Sequence, residues 1–351
     1  MIRMNYRLIQ LDAMRGFAAL MVVGFHYTTG YHELYGHPGQ LPIELAAGRY
    51  GVQLFFIISG FVIFMTLERT EYALDFLVSR FSRLYPAYWA SVFLTYIIVS
   101  IASLPGREST LYNAIFNLTM FQQWFRIPHV DGAYWTLTLE LSFYAIMLGL
   151  FLLRWLNKIN AIAIAWLSMM IVVYIVEQHV GWRMPGLIKT TLILEYANLF
   201  LAGIIFYKLY RGDNMVHHIL MIAACLAVEF IIHGLKSGLI CTSFIIMFYG
   251  VFILKIKFLN RLLSAKPFVY LGSISYSLYL LHQNIGYVLL RTLYAANLKP
   301  VLAIFITCAV SILLASIINM LIDVPARSAI RSFWGNDKAM RDYVSKVFVR
   351  E

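Results

Sequence analysis

Long apolar runs alternate with short polar connectors along this chain. A helix needs about 20 mostly apolar residues to cross a bilayer, so each long run predicts a spanning helix. The ten predicted spans lie near residues 13–31, 50–68, 86–104, 132–153, 160–178, 190–208, 216–234, 238–255, 270–291 and 300–322. The weaker run at 109–126 is interpreted as a re-entrant or interfacial segment. The pattern therefore predicts an all-α, polytopic membrane helical bundle.

Composition supports this prediction. Of the 351 residues, 61% are hydrophobic and only 13% are charged, whereas soluble domains carry about 25% charged residues. The net charge of +11 comes from basic residues in the short connectors rather than from a basic face or a nucleic-acid motif. We therefore interpret the charge as a determinant of membrane topology, with the lipid bilayer as a partner and no nucleic acid.

The number of spans and the basic connectors together predict the orientation. Ten spans place both termini on the same side, and most Lys and Arg residues fall on that side. Because cytoplasmic loops are enriched in Lys and Arg, both termini are predicted to be cytoplasmic. The domain prediction is a transmembrane domain over residues 1–325 followed by a basic cytoplasmic tail over 326–351.

Ionisable side chains within spans indicate function, because they are costly in lipid. Arg15 and His26 lie eleven positions apart in the first predicted span, which corresponds to three helical turns plus about 20° and about 16 Å along the axis. Both side chains are therefore expected on one helix face, with the imidazole suited to act as a general base. The alternative is a histidine that is hydrogen-bonded inside the bundle and an arginine at a helix end.

Two further sites carry charge beside or inside predicted spans. Arg80 and Arg83, at i and i+3 in the segment SRFSRLYP, can share a helix face and bind a phosphate, although ordinary topological charge is the alternative. Glu140 lies about two turns into its span, where a carboxylate requires a partner and can orient a histidine.

The segment SYSLYLLHQN adds hydroxyl groups and one imidazole to a later span, in Ser275, Tyr276, Tyr279 and His282. These side chains can line a polar cavity or form hydrogen bonds between helices. No histidine pair has zinc-site spacing with a third ligand, so no metal is predicted. Cys225, Cys241 and Cys308 lie in apolar runs and are interpreted as small core residues.

These segments together resemble the bacterial membrane acyltransferase-3 family, nearly from end to end. The resemblance rests on five motifs in order: LDAMRG with Arg15 and His26, GVQLFFIISGFVI, RFSRLYP, YWTLTLE and ISYSLYLLH. Three positions depart from the family pattern. Gln53 replaces a common Asp, Asn284 lies where a Pro often follows the His motif, and Asp323 replaces the usual Glu before proline.

The resemblance implies O-acyl transfer, usually of acetyl, from cytoplasmic acyl-CoA to a hydroxyl of a cell-envelope or exported glycan such as lipopolysaccharide, at the bacterial inner membrane. It implies acyl-CoA as co-substrate and no permanently bound cofactor. This chain would then deliver the acyl group to the acceptor itself or pass it to a separate periplasmic acyl carrier or transferase.

The resemblance also implies roles for individual residues. It assigns His26, Glu140 and Arg15 to catalysis, with His26 deprotonating the acceptor or carrying the acyl group. Arg80, Arg83 and again Arg15 would bind CoA. The acceptor side would comprise Tyr276, Tyr279, His282 and Asp323. The alternatives are a transporter or flippase, which often shows repeated halves that we do not find here, and a catalytically silent subunit of a glycan assembly complex.

Overall fold

The computed structural model describes residues 8–336, and every regular element within this range is helical. The α-helices are α1 (Ile9–Phe25), α2 (Tyr31–Tyr35), α3 (Gly51–Leu67), α4 (Ala73–Ala102), α5 (Leu111–Asn117), α6 (Trp135–Leu152), α7 (Ile159–His179), α8 (Gly186–Thr191), α9 (Ala197–Tyr210), α10 (Met215–Phe248), α11 (Lys257–Leu263), α12 (Lys266–Leu281), α13 (Gln283–Ala295), α14 (Pro300–Ile318) and α15 (Val324–Asn336). The all-α prediction is confirmed for the described residues.

Six helical stretches are long and apolar enough to cross a bilayer. They are Ala46–Leu67, Ala73–Ala102, Gly132–Leu152, Leu156–His179, Met215–Ile253 and Pro300–Gly335, and Ala197–Tyr210 is a shorter apolar helix. This architecture is consistent with a membrane helical bundle. The count of ten spans, the cytoplasmic termini and the domain division stay predictions, and residues 337–351 of the predicted tail lie outside the described range.

Several predicted boundaries differ from the structure. The predicted span 270–291 is divided at His282 into α12 and α13. The predicted spans 216–234 and 238–255 share the helix α10 and its extension, but the backbone breaks at Gly234, whose φ is 80°. Glycine adopts this left-handed conformation at little cost, which explains the break. The segment 109–126 contains only the seven-residue α5, which is too short to span.

The chain forms two compact units. The first comprises the described residues up to Val62 together with Asn160–Tyr279, and the second comprises Ile63–Ile159 and the described residues from Leu280 onwards. In the first unit α9 packs on α10. In the second unit α4 packs against α6, α13 and α15, and α13 packs on α14.

Glycines bring helix backbones together in the first unit. A Cβ added to Gly60 on α3 would lie 1.9 Å from the Phe200 carbonyl oxygen, and one added to Gly203 on α9 would lie 1.9 Å from the Ile57 carbonyl oxygen. Helices in membranes approach this closely only where the side chains between them are small. The pair therefore sets the distance between α3 and α9.

We expect Gly60→Ala and Gly203→Ala each to lower the free energy of unfolding by about 1–3 kcal/mol, because overpacking forces backbone shifts. Gly149→Ala is the matched control: it is also helical, and no atom lies within 4 Å of an added Cβ. Thermal unfolding of the full chain in detergent measures the difference. Equal melting temperatures for all three variants would contradict the close packing.

The second unit holds the segment after α5 against α4. The Tyr85 hydroxyl donates to the Thr119 carbonyl oxygen at 3.0 Å, and Trp89 Nε1 donates to the Leu118 carbonyl oxygen at 2.9 Å. Both aromatic side chains therefore satisfy backbone carbonyl groups of a non-helical turn, as irregular backbone would require if it lay within a bilayer. Together with the short α5, these bonds agree with the interpretation of 109–126 as a re-entrant or interfacial segment rather than a spanning one.

Candidate functional site

Helix α1 carries both residues of the first predicted pair. Arg15 lies within α1, and His26 follows its last residue, Phe25, in right-handed helical conformation. His26 also begins a π-helical turn over His26–Gly30. Such turns often occur at functional sites. Helix α1 is therefore continuous between the two residues, and both side chains are partly buried.

Side chains satisfy the backbone where α1 widens into this turn. His26 Nδ1 lies 3.0 Å from the Val22 carbonyl oxygen, and the Thr28 hydroxyl donates to the Gly24 carbonyl oxygen at 2.6 Å. A carbonyl only accepts, so Nδ1 carries the hydrogen and a neutral ring has its lone pair on Nε2. The helix itself thus fixes the tautomer that a general base requires.

Arg80 and Arg83 lie on α4, which begins at Ala73, so the predicted connector is part of one continuous helix. Arg83 Nη1 lies 3.9 Å from Asp323 Oδ2. Asp323 is fully buried, and it also accepts hydrogen bonds from Arg327 and from Asn319 Nδ2, the latter at 3.1 Å. The structure therefore joins the predicted phosphate-binding motif to the carboxylate of the last π-helical turn, Asn319–Asp323.

Two arginines of α15 complete a basic cluster. Arg331 Nε lies 3.4 Å from the Ser82 hydroxyl, and Arg331 Nη2 lies 3.4 Å from the Ser79 hydroxyl. From the sequence, Arg327 and Arg331 are predicted only as charges of the basic tail. Their spacing from Asp323, at i+4 and i+8, already placed all three on one helix face and was the signal that could have identified them.

Glu140 on α6 accepts a hydrogen bond from the Tyr144 hydroxyl one turn later. The Arg80 guanidinium lies over the rings of Tyr144 and Phe76, 5.8 Å from each centroid. Within the second unit, Tyr144 therefore links Glu140 to the surroundings of Arg80. The role of Glu140 in orienting His26 stays a prediction, and the Val22 carbonyl already performs that orientation from within α1.

The fourth predicted group straddles the break between α12 and α13. His282 is fully buried at this break, and Tyr276 and Tyr279 on α12 are also buried. The Tyr279 ring meets the Phe55 ring edge-on at 5.6 Å between centroids. Phe55 and the two tyrosines belong to the first unit, whereas His282 belongs to the second.

Asp131 is a buried acidic residue that no sequence motif indicates as part of a site. Its fully buried carboxylate accepts hydrogen bonds from the backbone N–H groups of Ala133 and Asn284, both at 2.9 Å. The Asn284 side chain also donates to the Val130 carbonyl oxygen at 2.9 Å. Proline at position 284 has no N–H to donate, so the departure from the family pattern has a structural reason. The pair fixes α13 directly after His282.

Burial shifts the pKa values of Asp131 and of the nearby His129 in opposite directions. Burial raises the pKa of Asp131 from 3.8 to about 6, against the two backbone hydrogen bonds and the positive charge of Arg107. Burial lowers the pKa of His129 from 6.5 to about 4. The Asp131 contribution to stability is full below the unfolded pKa and is lost as pH rises through about 6. The His129 contribution is full above pH 6.5 and is lost as pH falls through about 4.

Each contribution is worth about 3 kcal/mol, so the two nearly cancel between pH 6.5 and pH 4. We expect Asp131→Asn to lose stability on acidification across this window more steeply than the natural chain, and His129→Gln to gain stability. Unfolding of the full chain at a series of pH values measures both slopes. Parallel slopes for all three proteins would contradict the proposed protonation states.

The chain is similar in sequence to known acyltransferases. A family model described as an acyltransferase domain matches residues 8–320. Nodulation protein 10 of Rhizobium leguminosarum bv. viciae is 28% identical over 153 residues, covering 38% of this chain and 41% of that protein. Acyltransferase MdmB of Streptomyces mycarofaciens is 27% identical over 146 residues, covering 39% and 38%. The chain thus spans about two fifths of these relatives, and no solved structure gives a significant match.

Proposed function

We propose an activity from one premise: this chain belongs to the acyltransferase-3 family, whose acyltransferase-domain model covers residues 8–320. The proposed reaction is O-acyl transfer, with acetyl as the acyl group and acyl-CoA as the cytoplasmic donor. The acceptor is a hydroxyl of a cell-envelope or exported glycan at the bacterial inner membrane. The family match carries the proposal, and the tautomer of His26 supports it.

The chemistry assigned to His26 is general-base catalysis at Nε2. The imidazole takes the proton of the acceptor hydroxyl as its oxygen attacks the thioester carbonyl. The new C–O bond forms, the C–S bond breaks, and the thiolate of CoA leaves with the proton that His26 had taken. The Nδ1–H bond to Val22 holds the ring, and it leaves the lone pair of the neutral imidazole on Nε2, which is the protonation state that this step needs.

The donor side of the proposal rests on positive charge. CoA is polyanionic, and Arg80 and Arg83 supply two guanidinium groups on one face of α4. Arg15 would steer the pantetheine arm towards His26 along α1. On the acceptor side we assign Tyr276, Tyr279 and His282, whose hydroxyl and imidazole groups suit a glycan. Asp323 instead pairs with Arg83 and Arg327, which favours a structural contribution to the donor side.

The test uses membranes from cells that carry or lack the protein, incubated with radiolabelled acetyl-CoA. We expect protein-dependent label in the extracted lipid-linked or polymeric glycans, together with release of free CoA thiol. Label and thiol release that do not depend on the protein would contradict acyl transfer. Protein-dependent movement of an unmodified glycan across vesicle membranes would instead support the transporter or flippase alternative.

A further inference from the structure

The basic cluster of the second unit has more positive charge than its carboxylate can pair. Arg80, Arg83, Arg327 and Arg331 supply four guanidinium groups, and Asp323 forms ion pairs with Arg83 and Arg327. In the described part of the chain, Arg80 and Arg331 have no carboxylate within ion-pair distance. Both instead approach the Ser79 hydroxyl, Arg80 Nη2 at 3.0 Å and Arg331 Nη2 at 3.4 Å.

This arrangement is suited to an anion. Guanidinium and hydroxyl groups are both donors to phosphate oxygens, and two guanidinium groups can bind one phosphate from two directions. Arg80 Nε is buried and has no hydrogen-bond partner among the described residues. Trp334 Nε1 donates to Asp75 Oδ1 at 2.7 Å, which holds α15 beside the start of α4 and keeps Arg331 in place.

An apolar cavity of about 440 Å³ opens beside the same arginine. Its walls include the aromatic rings of Phe76, Phe81, Tyr85 and Tyr144, and Ile330 of α15 also lines it. Among the described residues that line it, Arg80 is the one that carries a charge. A cavity of this size lies within the range of small-molecule sites, and aromatic walls favour a flat π-system.

We propose that this cavity and the Arg80–Arg331 pair bind the adenosine end of acyl-CoA. The adenine ring lies between the aromatic walls, and the phosphate monoester on the ribose is bound by Arg80, Arg331 and the Ser79 hydroxyl. This inference rests on the proposed function for the identity of the donor. It adds a nucleobase subsite and makes Arg331, on the last described helix, a donor-binding residue.

An anionic phospholipid is the other source of a phosphate at this position. A lipid headgroup has no purine ring, however, and its phosphodiester carries less charge than a phosphate monoester. The aromatic walls therefore favour the nucleotide. The two sources are distinguished by measuring CoA binding to the protein in bilayer discs of zwitterionic lipid alone and in discs that also contain phosphatidylglycerol.

The experiment is calorimetric binding of CoA and of 3′-dephospho-CoA to the purified full chain. Losing a charged hydrogen bond costs about 1.5–3 kcal/mol, so we expect Arg331→Gln to weaken CoA binding by about tenfold or more. The same variant should change dephospho-CoA binding by less than about twofold, given that its partner phosphate is absent. Arg261→Gln is the matched control, since it removes the same charge from an exposed position on α11.

A second variant tests the nucleobase subsite. Ala145→Phe adds a ring at an exposed cavity position on α6, and it should weaken binding of adenosine 3′,5′-bisphosphate as well as CoA. Circular dichroism and gel filtration check that the variants remain folded. Four results would each overturn the inference. The natural chain could bind CoA and dephospho-CoA equally, or it could fail to bind CoA at all. Arg331→Gln and Arg261→Gln could weaken CoA binding equally, or Arg331→Gln could do so only in discs that contain phosphatidylglycerol. CoA binding with this specificity but without acyl transfer would instead contradict only the proposed function.

Discussion

Replacing His26 with alanine is expected to lower acyl transfer by about 10²–10⁴-fold, because a positioned general base contributes about this much to such a reaction. The Val22 carbonyl holds the imidazole through Nδ1, so the alanine variant removes a base whose ring is already oriented. The measurement is the rate of acetyl transfer from acetyl-CoA, followed as released CoA thiol in membranes that contain equal amounts of protein.

Two control variants distinguish the loss of the base from other effects of the substitution. His26→Gln keeps a polar side chain of similar length but cannot take up a proton at neutral pH, and we expect it to be as inactive as the alanine variant. His179→Ala removes a histidine at the end of α7 and should leave the rate unchanged. A His26→Ala protein that transfers acetyl at the natural rate would exclude His26 as the base.

Replacing Asp323 with alanine is expected to have the largest effect on stability, about 3–5 kcal/mol, because it leaves Arg327 and Arg83 without their shared carboxylate. Asp323 is fully buried, so water does not replace the lost partner. Denaturant unfolding of the full chain in detergent measures the loss. A lower yield of folded protein in membranes should accompany it.

Double variants apportion this loss between the two arginines. Combining Asp323→Ala with Arg327→Met should recover much of the stability, since it removes the buried cation that hydrogen-bonds the carboxylate. Combining it with Arg83→Met should recover less, because Arg83 lies 3.9 Å away and more of its interaction is electrostatic. Equal recovery in both cases would contradict this ranking, and a single Asp323→Ala variant of natural stability would contradict the buried ion pair itself.

The family resemblance and the helical class could both be predicted from the sequence, because apolar runs and short motifs are local features. The basic cluster could not. Arg80 and Arg331 come together only when α15 packs on α4, and a bond between Trp334 and Asp75 also joins these two helices. Local patterns do not report contacts between such distant positions.

The break at His282 was missed for a related reason. The apolar residues on both sides of His282, Gln283 and Asn284 together have the length of one span, so the sequence pattern predicts a single helix. The structure divides the two helices where Asp131, from a distant loop, binds the backbone of Asn284. Asn284 was noted as a departure from the family pattern, but its consequence required knowledge of its partner.

The π-helical turn at His26 also lay beyond prediction. The predicted spacing of Arg15 and His26 requires a regular helix of 3.6 residues per turn, and α1 is regular up to Phe25. The wider turn begins at His26 itself and is accompanied by the Thr28 bond to Gly24. The axial distance along α1 follows from sequence, but the direction of the imidazole does not.

The contact between Arg331 and Ser82 joins positions 249 residues apart, and this separation has a consequence for biosynthesis. Translation proceeds from the N-terminus, so α4 enters the membrane long before α15 exists. Until then, the buried serine and the two arginines of α4 have neither Arg331 nor the Asp323 carboxylate beside them. The basic cluster therefore closes only after α15 has been released from the ribosome, and a chain that stops before α15 cannot form it.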